Sequence, residues 1–111
     1  MGGTEQELRK RIEDLRKTKF ADVTHLQIHV RLKEGASPDD ADPFTPSSAF
    51  LVEVGREVRP LNIVYQTLPW GATEPKIYWK LLDLGVMSFA TDHPEITLEA
   101  VRKYYAGENA R

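Results

Sequence analysis

Four residues on one short stretch carry side chains able to bind anions or move protons. They are His25, Gln27, His29 and Arg31, within VTHLQIHVRLK (Val23 to Lys33). An imidazole changes charge near neutrality and a guanidinium pairs with anions. They alternate with Leu26, Ile28, Val30 and Leu32. Strict alternation predicts a strand with one polar and one apolar face. In a parallel α/β barrel the apolar face packs on helices and the polar face points inward. Active sites there gather at the C-terminal strand ends, which would make His29 and Arg31 site-lining residues. The other reading is an exposed or edge-strand face, and the residues alone leave both open.

Other chemically able residues are weaker candidates. Asp39, Asp40 and Asp42 sit in EGASPDDADPF (Glu34 to Phe44), a long loop of the kind that serves as a lid or binding loop. Three carboxylates suggest calcium, but their spacing fits no EF-hand, and a solvated turn accounts for them. His93 lies in the turn Thr91-Asp92-His93-Pro94 without a visible partner, and Asp92 is expected to cap the helix that follows. The chain has no cysteine, which excludes disulfides, thiolate metal sites and cysteine nucleophiles. With a net charge of −2 it has no general basic footprint for nucleic acid. No apolar run approaches the roughly 18 residues of a membrane span. The start, MGGTEQELRK, is too polar for a secretory signal, and Gln6 breaks the myristoylation pattern.

The elements that must position these residues are legible in outline. Thr4 to Lys17 reads as a helix with a Thr4–Glu7 capping box and an apolar stripe of Leu8, Ile12 and Leu15. A second helix is expected to start with Thr45 as N-cap and Pro46 at its first position, burying Phe50, Val54 and Val58. Leu61 to Thr67 reads as a second strand, with Ile63 and Tyr65 on one side and Asn62, Val64 and Gln66 on the other. It leads into the turn Leu68-Pro69-Trp70-Gly71. Thr73 is expected to cap a third helix that buries Ile77, Leu81 and Leu84 and ends at Gly85. Val86 to Ala90 reads as a third strand. A last helix places Leu98, Val101 and Tyr105 on one face and stops at Gly107. The order α-β-α-β-α-β-α predicts one α/β domain over residues 1–111, with about three parallel strands, right-handed crossovers and covering helices.

The segment LLDLGVMSFATDHPE resembles the closing part of glycerophosphodiester phosphodiesterases, which end in a helix, an LGV start, a short strand and a TD-x-P turn. Here these are Leu84-Gly85-Val86 and Thr91-Asp92-His93-Pro94. TPSSAFLVEVGREVRP and LNIVYQTLPW resemble the preceding helix and penultimate strand, and the likeness extends over residues 19–106. It implies the last part of a TIM (β/α)8 barrel. It also implies hydrolysis of a glycerophosphodiester to glycerol 3-phosphate and an alcohol, assisted by a divalent cation, calcium or magnesium.

In that family, residues beginning with a His-Arg motif on early strands do the acid–base and metal-binding work. This chain has no His-Arg dipeptide, so the family's catalytic and metal residues have no counterparts here. What carries over is the aromatic that lines the cleft beside the glycerol moiety, filled by Tyr65 or Trp70. With His29, Arg31 and Gln66 on the inward face, these make up the expected substrate-binding set. A full barrel takes about 250 residues, so the resemblance implies a chain inactive alone. It implies either a fragment or a module that completes its barrel by self-association or by pairing with a chain supplying the missing strands. A third reading is a small independent α/β domain that binds an anion at helices capped by Thr45, Thr73 and Asp92.

Overall fold

The computed structural model describes residues 1–107. In chain order these form α1 (Glu5–Lys17), β1 (His25–Leu32), β2 (Phe44–Thr45), α2 (Ser48–Val58), a 3-10 turn (Arg59–Leu61), β3 (Val64–Pro69), α3 (Pro75–Asp83), β4 (Ser88–Phe89) and α4 (Pro94–Tyr105). The sheet order is β2-β1-β3-β4. β1, β3 and β4 run parallel, as the helix–strand alternation predicts. β2 adds an antiparallel edge strand, pairing Phe44 with Leu32 and Thr45 with Arg31. The fold is therefore mixed α/β with an open four-stranded sheet, one strand more than expected. The extra strand comes from the end of the loop after β1, where nothing local announces a two-residue strand.

The two faces of the sheet differ as the alternation requires. Leu26, Ile28 and Val30 are buried, and so is Tyr65 on β3. Buried side chains from all four helices join them in one core, among them Leu8, Ile12, Phe50, Leu51, Val54, Tyr78, Leu81 and Ala100. Each large apolar side chain so buried contributes about 1.5–3 kcal/mol. α1 is fastened to α2 by these contacts and by an ionic seam. Arg16 Nε and Nη2 donate to the two carboxylate oxygens of Glu57 at 2.6 and 2.7 Å, and Arg9 Nη1 donates to Glu53 at 3.1 Å. The Arg9–Glu53 pair is exposed and contributes at most about 1 kcal/mol. The part-buried, bidentate Arg16–Glu57 pair is the stronger of the two, so the fully buried Leu8 and Ile12 with Arg16 carry most of the docking.

Helix starts differ from their local signals. The Thr4–Glu7 capping box of α1 is present. Thr45 does not cap α2, because it is engaged in β2. Ser47 takes the position and its hydroxyl accepts from Phe50 N–H. Thr73 does not cap α3, where Glu74 is the N-cap without a side-chain bond and Pro75 opens the helix. Asp92 does not cap α4 either. His93 holds that position, and Thr91 Oγ1 accepts from His93 N–H at 2.9 Å. β3 starts at Val64 because Leu61 belongs to the 3-10 turn and Asn62 is left-handed. The expected stripe of α4 is also displaced. Thr97 and Ala100 are buried, whereas Leu98 and Tyr105 are 70% and 69% exposed. The indole of Trp79 donates to Ala100 O at 2.9 Å, turning the small-residue face of α4 toward α3.

Candidate functional site

Parallel pairing brings the C-terminal ends of β1 and β3 side by side. His29, Arg31 and Trp70 meet there around a cleft of about 280 Å³, together with Thr4 and Glu7 from the start of α1 and Thr45 from β2. Trp70 is held at the rim by its backbone N–H, which donates to Val30 O at 2.8 Å. The residue stays 52% exposed. The His29 imidazole lies edge-on to the indole, with centroids 5.8 Å apart and planes at 83°. Burial, and secondarily the positive amine of Met1, hold the His29 pKa below its ordinary 6.5. The ring is therefore neutral at pH 7, with one nitrogen able to accept a hydrogen bond or a proton.

Gln66 shares this polar face but sits one layer further from the rim. Gln27 pairs with Gln66 and Gln66 with Ser88 in the sheet register. Their side chains follow suit. Gln27 Nε2 donates to Gln66 Oε1 at 2.7 Å, and Gln66 Nε2 donates to Ser88 Oγ at 2.9 Å. The result is a hydrogen-bonded ladder across three parallel strands, half-buried rather than washed by solvent.

Tyr65 lies elsewhere. Its parity on β3 turns it to the helix side, where it is 1% exposed and donates its hydroxyl to Leu51 O at 2.8 Å. Burial raises its pKa, so it stays a neutral phenol. Of the two aromatics expected at the cleft, Trp70 borders it and Tyr65 does not. His25 stands at the opposite end of β1, roughly 13 Å of strand from His29, with its Nδ1 3.1 Å from Thr24 Oγ1. The two histidines of β1 do not form a pair.

Thr4, Glu7 and Thr45 line the site from outside the parallel strands, and strand alternation, the signal that marks His29 and Arg31, does not point to them. The capping box of Thr4 and Glu7 was legible, but its place beside the end of β1 follows from how α1 packs. The three loop aspartates do not converge. Asp39 accepts from Lys76, Asp40 from Ser37 N–H, and Asp42 from Ser48 N–H. Among the described residues no group of three His, Asp or Glu side chains could hold a metal ion. The donors here do not fit the divalent cation that the resemblance implies, and no step through it is derived for this chain. Nor is any helix among the described residues long and apolar enough to cross a membrane.

The cleft thus offers a neutral imidazole, a guanidinium and an exposed indole face beside the Glu7 carboxylate, whose Oε1 accepts from Thr4. This combination suits a small ligand with an anionic group for Arg31 and an apolar edge. No family model, no curated protein and no solved structure matches the chain.

Proposed function

We propose that this chain is the closing part of a phosphodiesterase-type α/β barrel. On this reading its polar sheet face is a barrel interior. Its cleft is a stretch of substrate-binding wall for a glycerophosphodiester, while the acid–base and metal-binding groups come from strands outside this chain. The observation that carries the reading is the one-sided sheet. All four described helices join the core on one face, and the other bears the in-register Gln27–Gln66–Ser88 ladder. Parallel strands are ordinarily covered on both faces, and a polar, hydrogen-bonded inner layer suits a barrel lumen better than open solvent. β1, β3 and β4 carry no carboxylate and place Arg31 at the rim, which favours an anionic ligand on the strand side of the cleft, while the Glu7 carboxylate at its α1 side is bonded to Thr4.

Two measurements test this. Titration with glycerol 3-phosphate, followed by NMR, is expected to shift His29, Arg31 and Trp70 signals. Arg31→Ala should weaken that binding about tenfold, the loss of one charge-assisted contact. Absence of any shift at millimolar ligand sinks the substrate-wall assignment. Hydrolysis of glycerophosphocholine with calcium or magnesium is expected to be nil for this chain alone, and turnover would show that it carries catalytic groups of its own.

A second reading, an interaction module that completes a barrel with another copy or chain, draws on the β4 edge. Val86 to Thr91 contains neither charge nor proline, the usual protections of an exposed edge. Light scattering tests self-completion, and a stable monomer at high concentration argues against it.

A further inference from the structure

The first three residues are built into the sheet. The Met1 amine donates to Gln27 O at 2.8 Å, and His29 N–H donates to Met1 O at 2.8 Å. These two bonds bracket Ile28 as a parallel neighbour would. Met1 therefore covers the edge of β1 over Gln27 to His29, next to the stretch that β2 covers at Arg31 and Leu32. From Met1 the chain crosses the rim of the cleft through Gly2 and Gly3 to the N-cap of α1.

Both glycines have a physical reason. Gly3 has φ of +124°, a conformation that side-chain-bearing residues rarely adopt. At Gly2 a Cβ would lie 3.0 Å from His29 Nδ1. The backbone of residue 2 thus lies against the imidazole, and the same ring meets Trp70 edge-on.

We propose that residues 1–3 form a strap that closes the edge of β1 and fixes the His29 imidazole in the cleft, with Gly2 bare because the ring occupies the space of a side chain. Two backbone hydrogen bonds and the half-buried Met1 side chain, which packs against the margin of the core, hold the strap, while Gly2 and Gly3 add no side-chain contacts. It can therefore open locally without unfolding the domain. Opening frees the His29 ring and uncovers the backbone edge of β1 together, so access to the imidazole and pairing at that edge are one event. The device is independent of what the cleft binds.

NMR on the full chain tests it through two variants on opposite sides of the mechanism. Gly2→Ala adds a methyl against the ring. It is expected to move the His29 side-chain resonances, which sense the Trp70 ring current, while signals of α3 and α4 stay in place. Gly3→Ala strains the strap backbone and is expected to speed hydrogen exchange at the His29 amide about tenfold, through the cost of positive φ in alanine. Unchanged His29 ring signals in Gly2→Ala overturn the proposal. So does a His29 amide that exchanges equally fast in the parent chain and in Gly3→Ala.

Discussion

Gly55 of α2 lies against the ring of Tyr65 of β3. A Cβ on Gly55 would sit 3.1 and 3.2 Å from two ring carbons, and 3.6 Å from Leu84 O. The ring has little freedom to retreat, because its hydroxyl is tied to Leu51 O one turn back on the same helix. Gly55→Ala would gain up to about 1 kcal/mol in helix propensity but overpack a filled site at about 1–3 kcal/mol. A net loss of about 0–2 kcal/mol is expected in urea unfolding. A variant more stable than the parent would mean that α2 can shift off the sheet.

The Gln27–Gln66–Ser88 ladder should behave as a coupled unit. Gln66 is its centre, accepting from one strand and donating to the next. Gln66→Leu removes both bonds while keeping comparable bulk, and an expected loss of about 1–2 kcal/mol follows. A double-mutant cycle between Gln27→Ala and Gln66→Ala should return a coupling of about 0.5–1 kcal/mol. Strict additivity would show that water replaces the amide contact at no cost.

Thr67 runs the opposite way. It is fully buried on the helix side of β3, and its hydroxyl has no hydrogen-bond partner among the described residues. Burying an unpaired hydroxyl costs about 1–3 kcal/mol. Valine keeps the β-branched shape without that cost. Thr67→Val is expected to unfold at the same or a higher urea concentration, and destabilisation by more than about 1 kcal/mol would reveal a partner for the hydroxyl.

Acid should loosen the start of α2. Glu5 Oε1 accepts from Ser47 N–H at 2.6 Å, and Asp42 Oδ1 accepts from Ser48 N–H at 2.9 Å. These backbone bonds are the leading cause of depressed pKa values at both carboxyls, below the ordinary 4.5 and 3.8. A depressed folded-state pKa means that the stabilising contribution is complete above the unfolded value. It is lost as pH falls through the folded one. Stability should therefore hold above about pH 5 and decline below 4.5 for Glu5 and below 3.8 for Asp42. Glu5→Gln keeps an acceptor without a titrating group, so it should flatten the upper part of this decline in urea midpoints measured against pH. An unaltered profile would place the acid sensitivity elsewhere.

Periodicity and capping chemistry are local, and what depends on them could be read in the chain itself. The α-β-α-β-α-β-α order, the two faces of β1, the capping box of Thr4 and Glu7 and the core stripe of α2 all follow from residues within a few positions of one another. Strand parity also placed Tyr65 and Gln66 on opposite sides. The resemblance offered Tyr65 or Trp70 as the cleft aromatic, and the packing of Tyr65 under α2 separates them. Long-range partners decided the rest. Thr45 had the side chain and the following proline of an N-cap, yet β1 recruits it as a strand, so the cap moves to Ser47 with help from Glu5, 42 residues away. Trp79 selects the Thr97–Ala100 face of α4 over the more apolar Leu98–Tyr105 face, because close helix packing favours small side chains beneath an indole. The cleft itself exists because β1 and β3 pair in one register and α1 returns its first turn, with Gly2 and Gly3 before it, to the same rim. No spacing along the chain encodes a contact between Gly2 and His29, since that contact depends on the path of α1 across the sheet.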